Sequence, residues 1–256
     1  MVCIHHRWIL RVLQAQDVIM VNRRQPVSNC INGQFKNAPE WCALSEVDLK
    51  TVEAAVICRE YDVGDVIFGE NEPCRGVYFV TSGLVGIRKA GLEGESTLLK
   101  ISYPNETLGY RPMLAGQHHR ATAEILKPGV VCFINSATIL PMIEHNPALG
   151  LKLLQRTTRE LGDAEERFHK TVTLTLRARF AHLLMLWKDR CGRISKNGKF
   201  ILDLPVSRGD LAAMLGVRRE SVSRVIHELE QEGVTHFTDR HVEVANADHL
   251  IDEFRG

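Results

Sequence analysis

The sequence predicts an α+β chain with a β-rich half followed by a helical half. Three observations predict it. Short apolar runs, some alternating with period two, fill residues 61–135; helical spacing takes over at Ser136; and a helix–helix–helix–hairpin order follows Thr171. A chain of 256 residues has room for one large domain or two small ones.

The first half reads as "YDVGDVIF", "GVYFVTSGLVGIRKA", "STLLKISY" and "GVVCFI", with "GENEPCRG", "GLEGES" and "YPNET" as turns. Val77 and Phe79, then Val85 and Ile87, share a face. Closely spaced short strands fit a sandwich or barrel better than a parallel sheet. "SATILPMIEHNP" is a short helix ended by Asn146-Pro147. In the long helix that follows, Leu154, Leu161 and Phe168 recur every seventh residue, with Thr158, Ala164 and Val172 near the intermediate positions. Two readings stand: a core helix against the β-domain, or a dimer seam. Gly162 weakens the helix preference, so the heptads do not decide.

From Thr171, "TVTLTLRARFAHLLMLWKDRCG" reads as one amphipathic helix. Leu176, Phe180, Leu183, Leu184 and Trp187 serve a core, and Lys188, Arg190, Arg193, Lys196 and Lys199 make its end and the next turn basic. "KFILDLPV" is a strand, two helices follow, and "VTHFTDRHVEVAN" closes as a hairpin. This is the order of a winged helix-turn-helix.

The bulk numbers bound the function. Apolar residues are 45% and charged residues 25%, an ordinary globular balance. The net charge of +1 excludes a polycation, so any nucleic-acid contact comes from a local patch. Seven scattered cysteines, no secretory pattern in "MVCIHHRWILRVLQAQDVIMV" and no run near the ~20 apolar residues of a membrane span predict a cytoplasmic protein with reduced thiols. Met20 precedes a more ordinary polar start, and residues 1–19 read as an upstream extension or tail.

The chemistry concentrates in "VSRGDLAAMLGVRRESVSRVIHELEQEGV". Ser207 is an N-cap with Asp210 three positions on, close to a capping box. Leu211, Ala212 and Leu215 form one apolar face, Gly216 takes the positive φ of the tight turn, and Val217 covers it. Val222, Val225, Ile226 and Leu229 bury the second helix, 218–231. That leaves Arg219, Glu220, Ser223 and Arg224 outward at its N-terminal end, the end that enters a major groove. Arginine donates two hydrogen bonds to guanine, and glutamate accepts from cytosine. Ser207, Arg208, Arg218 and Ser221 are placed for phosphates, which fix position rather than sequence. A solvated charged face is the bland alternative, and the glycine turn, buried faces and hairpin together argue against it. Residues 171–256 hold thirteen Lys+Arg and twelve Asp+Glu, with most of the acids late and the bases early. Such polarity suits phosphate binding.

With these motifs the chain resembles the Crp/Fnr family of transcription regulators over about residues 45–250. "YDVGDVIF…VYFVTSGLVGI" is similar to the family's β-roll opening, "LGYRPMLAGQHHRATAEIL" to its central loop, and "VSRGDLAAMLGVRRESVSRVI" to its DNA reader. The resemblance implies an N-terminal extension (1–44), a β-roll (jelly-roll) sensor (45–146), a dimerisation helix (147–170) and a winged helix-turn-helix (171–256). It also implies a homodimer seam through Leu154, Leu161, Ala164 and Phe168, a palindrome with TTGAT- or TGTGA-like half-sites, and an activator's contact with RNA polymerase. Glu220 and Arg224 match both main branches, Arg219 the cyclic-AMP receptor branch and Ser223 the Fnr branch.

The effector pocket implied by the resemblance comprises Gly109, Tyr110, Arg111, Arg120 and Ala121. The family's ribose-binding glutamate and phosphate-binding serine are replaced by Tyr110 and Ala121, so ordinary cyclic-AMP control is not expected; an unpaired buried polar ligand binds poorly. "RATAEIL" and the aromatic after Gly109 resemble the Fnr, FixK and NnrR side, which responds to oxygen, nitric oxide or redox state. An iron–sulfur cluster would draw on Cys30, Cys42 and Cys132, whose loose spacing favours structural thiols instead. Haem would draw on His118 or His119, otherwise polar loop residues. A constitutive regulator without effector is the alternative within DNA binding. A cupin-like binding protein or enzyme would need a His/Glu metal cluster on neighbouring strands, and His118 and His119, being adjacent, would face opposite sides of a strand.

Overall fold

The computed structural model describes residues 35, 38–91, 95–194, 200–245, 250 and 252. The expectations for Cys30, Lys196, Lys199 and most of the 1–44 extension lie outside the described residues.

Two four-stranded antiparallel sheets build the first half. One runs in the order β1 (Ile57–Tyr61), β8 (Gly129–Asn135), β3 (Gly76–Val80), β6 (Thr107–Leu108). The other runs β2 (Val66–Phe68), β7 (Thr122–Lys127), β4 (Leu84–Ala90), β5 (Ser96–Ser102). Phe68, Val85, Ala123 and Ile125 from one sheet meet Val80, Leu108 and Val131 from the other, so alternate residues of each strand share one dry interior. "TAEIL", read from sequence as part of a loop, is strand β7. "ICREY" is strand β1, although its own alternation is weak; pairing with β8 makes it one.

A second apolar layer covers the outer face of the first sheet. Phe35, Trp41 and Val52 pack with Val77 and Phe79 of β3. Trp41 belongs to a short 3-10 turn, and its indole Nε1 donates to Thr107 Oγ1 at 2.8 Å. Helix α1 (Glu46–Ala55) starts at a capping box between Ser45 and Asp48. Helices α2 (Tyr110–Leu114) and α3 (Ser136–His145) add Met113, Ile139 and Met142. Pro147 opens the long helix α4 (Pro147–Thr173), where its missing N–H costs nothing.

Only the start of α4, through Leu149 and Leu153, is buried in this layer. Leu154, Leu161 and Phe168 are 61%, 58% and 72% exposed, which overturns the core-helix reading for these three in the single chain. The single helix expected from Thr171 is also corrected. Helix α4 runs on to Thr173, the chain extends at Leu174, and α5 (Leu176–Cys191) restarts with Thr175 Oγ1 accepting from the Ala178 N–H at 3.1 Å. Threonine competes with the helix for its own backbone partners, and here the cap wins.

The last region combines α5, β9 (Gly192–Ile194), β10 (Phe200–Asp203), α6 (Arg208–Leu215), α7 (Arg219–Gln231), β11 (Thr235–Thr238) and β12 (His241–Val244), with sheet order β11-β12-β10-β9. Phe180, Leu184, Leu202, Leu211, Leu229 and Val242 form its core. The expectation of reduced thiols throughout is corrected as well. Cys58 and Cys132, directly opposite in the β1–β8 register, form a buried disulfide with Cα atoms 3.9 Å apart.

Candidate DNA interface and sensing region

The capping box is complete. Ser207 Oγ accepts from the Asp210 N–H at 3.1 Å, and Asp210 Oδ2 accepts from the Ser207 N–H and hydroxyl at 3.1 and 2.7 Å. Both donors of Ser207 are thereby engaged inside the helix cap. Gly216 takes φ +65° and ends α6, the conformation that its missing Cβ makes cheap. Leu211, Ala212 and Leu215 are buried against Val222, Val225, Ile226 and Leu229 of α7.

That packing decides what α7 shows to solvent. Arg218 is its N-cap, and Arg218, Arg219, Glu220 and Arg224 are exposed, with Ser221 and Ser223 half-buried among them. All six lie within the first two turns, while Arg208 is half-buried at the start of α6. Sequence reasoning missed two neighbours. His227, exposed three residues after Arg224, extends the same face by a turn. Arg240, exposed beside Asp239 at the β11–β12 turn, puts a cation on the wing tip, and its polar turn "TDR" was the available signal.

The sensing residues are not gathered in the same way. Gly109 takes φ +78° and turns the chain into α2. Tyr110 then faces α4: its buried ring lies 4.8 Å beneath the Arg156 guanidinium. Burial pushes the Tyr110 phenol up, and the Glu160 carboxylate adds to this. Arg156 also pairs with buried Glu40, and Glu160 accepts from Lys100 at 3.0 Å and sits 3.5 Å from Arg111 Nε. Tyr110 and Arg111 thus meet at a charged knot under α4. Arg120 is exposed on the other sheet's side, its carbonyl accepting from Lys89 Nζ at 3.1 Å, with Ala121 next to it.

His118 is exposed, whereas His119 is 2% exposed and no ordinary loop histidine. Its backbone is held on both sides, by Asn71 N–H to its carbonyl at 2.7 Å and its N–H to Glu72 O at 2.9 Å. The ring stacks on Phe68 at 3.8 Å, and Nε2 has no hydrogen-bond partner. Burial pulls its pKa down, with the Glu72 carboxylate opposing. Tyr78, in the same interior, is pushed up to about 12 by burial. The cluster set does not assemble: Cys132 is bonded to Cys58, Cys42 is exposed with its Sγ 3.0 Å from Pro39 O, and Cys30 is outside the described residues. Among the described residues, no group of three or more His, Cys, Asp or Glu is placed to hold a metal ion, and no helix is long and apolar enough to cross a membrane.

Two family models match the chain: the cyclic nucleotide-binding domain over residues 58–146 and the Crp-like helix-turn-helix domain over residues 178–253. The transcriptional activatory protein AadR of Rhodopseudomonas palustris is 28% identical over 172 residues, 67% of this chain and 70% of AadR. The transcriptional activator FnrL of Cereibacter sphaeroides is 26% identical over 212 residues, 80% of this chain and 84% of FnrL. The structure of FixK2 from Bradyrhizobium japonicum superposes with a TM-score of 0.68 at 25% identity, covering 77% of this chain and 96% of FixK2. Paired domains in this order, a finished helix-turn-helix with a polar outward face, and regulator relatives across most of the length identify the chain as a DNA-binding transcription regulator of the Crp/Fnr family, not an enzyme.

Proposed function

We propose that two copies of this chain bind a palindrome with TTGAT- or TGTGA-like half-sites about one helical turn apart. Arg219, Glu220, Ser223 and Arg224 read bases. Arg208, Arg218 and Ser221 hold phosphates, with Ser207 contributing through the cap it builds rather than through a free hydroxyl. The observation that carries this is the exposed row at the start of α7, kept outward by a fully buried opposite face. The bare stripe of Leu154, Leu161 and Phe168, with Ala164 between, supports α4 as the dimer seam, because apolar area of this kind is normally covered. The division proposed with it is 1–44, 45–146, 147–170 and 171–256; α4 runs past the third boundary to Thr173, which puts the hinge at Leu174–Thr175. In this reading the protein works in the cytoplasm and activates transcription through RNA polymerase; AadR and FnrL are named as transcriptional activators, which supports the activating sense.

The signal in this reading is redox state, oxygen or nitric oxide rather than cyclic AMP. Tyr110 offers no carboxylate to a ribose and Ala121 no hydroxyl to a cyclic phosphate, and the Tyr110 ring is already engaged beneath Arg156. The Cys58–Cys132 bond is a group in the roll that a change of redox poise would alter. Arg224→Ala is the test. It should remove about 1–3 kcal/mol of preference for the palindrome and leave random-duplex affinity nearly intact. Equal losses on both duplexes would reject base reading by Arg224.

A further inference from the structure

The reading head does not stand clear of the roll. Leu98 and Ile101 of β5 are buried in the same apolar cluster as Phe180, Leu211 and Ile226. Arg88, on neighbouring β4, carries the polar half of this junction. Its Nε donates to Glu124 Oε2 on β7 at 2.6 Å, and its Nη2 donates to Asp210 Oδ1 on α6. The Arg88 and Asp210 side chains are each 17% exposed. Asp210 is the capping-box residue, and its other oxygen, Oδ2, is held by Ser207. A single carboxylate thus closes the first turn of α6 and ties that turn to the roll.

We propose that Arg88 is a positioning residue for DNA binding, holding the α6–α7 pair at a fixed angle to the β-roll through Asp210. The apolar contact of Leu98 and Ile101 supplies attraction but little direction. A planar guanidinium bonded to two carboxylates on different elements fixes rotation, because each N–H leaves the fork at a set angle. Helices α6 and α7 share a buried interface, so fixing the first turn of α6 also fixes the outward row of α7. A palindrome demands two heads at one spacing and tilt, and a head free to rotate meets that demand in a smaller fraction of its states. The proposal rests on the dimeric DNA-binding reading and adds a residue that touches no DNA.

The test uses full-length protein and a palindromic duplex that the wild type selects from a random pool. Active protein is counted by stoichiometric titration, so each affinity refers to folded molecules. Arg88→Gln is expected to weaken palindrome binding about tenfold and binding to a single half-site much less. Plots of affinity against salt should shift in parallel, since no phosphate contact is lost. Arg88→Lys, which keeps the charge but not the fork, should recover part of the loss. Asp210→Asn keeps a cap acceptor, and the double variant should be no weaker than Arg88→Gln alone. An unchanged affinity, additive losses, or a salt slope reduced by about one would each overturn the proposal, the last by making Arg88 a phosphate ligand. A wild type that selects no palindrome would instead sink the DNA-reading assignment beneath it.

Discussion

The reading head and the β-roll solve the same problem by different means. In the head, Ser207 to Leu229 hold the cap, the turn glycine, both apolar faces and the outward row, so neighbours in sequence are neighbours in space. In the roll, the elements that matter arrive from far apart. Cys58 meets Cys132, Trp41 meets Thr107, and Tyr110 meets Arg156 and Glu160. Local order makes the head cheap to form and easy to read. Distant contacts let the roll tie its strands to α4, so a change within it can reach the helix that leads to the head.

The largest expected effect tests the distant half of that contrast. The Cys58–Cys132 bond spans 74 residues, and closing such a loop removes chain entropy worth about 4 kcal/mol from the unfolded state. Denaturant unfolding with and without a dithiol reductant should therefore shift by an amount of that order. The Cys58→Ser/Cys132→Ser variant should behave alike in both conditions. Coincident curves for the wild type would mean that the roll draws no stability from this contact.

A middle-sized effect tests the local half. Ser207→Ala removes the oxygen that accepts from the Asp210 N–H, and with it the hydroxyl that donates to Asp210 Oδ2. The expected cost is about 1 kcal/mol, the usual worth of an N-cap. A loss as large as that from the disulfide would break the comparison, because the head would then depend on one residue as heavily as the roll depends on its cross-link. The expected outcome is lower stability with the reading row still intact, measured as an unchanged preference for palindromic over random duplex.

The same contrast explains what was legible. Gly216, the capping box and the buried stripe of α7 follow from spacing within one helical hairpin, and all were readable from the sequence. Strand β1 was not, because "ICREY" becomes a strand through its pairing with β8, seventy residues on. The disulfide shares that cause: two of seven cysteines become partners only once the register is known. The exposed Leu154, Leu161 and Phe168 were found as a stripe, but sequence could not say whether it faced a core or a second chain. Arg88 gave no signal, since its partner Asp210 lies 122 positions away in another domain.

The smallest expected effect lies inside the roll, at His119. Burial lowers its pKa below 6.5; the Glu72 carboxylate partly opposes this, and the neighbouring His118 adds to the lowering. The sign follows from linkage. Below pH 6.5 the unfolded imidazole takes up a proton more readily than the buried one, so stability falls as pH drops from 6.5 through the folded value. His182, also held below 6.5 by burial and by Lys170, acts in the same direction from the hinge side. His119→Phe keeps a ring on Phe68 and removes the unpartnered Nε2. Its stability profile between pH 7 and 5 should be flatter than that of the wild type, with the His182 share remaining. An identical slope in the variant would show that the roll carries no proton linkage at this position, and the pH response would then belong to the hinge and head alone.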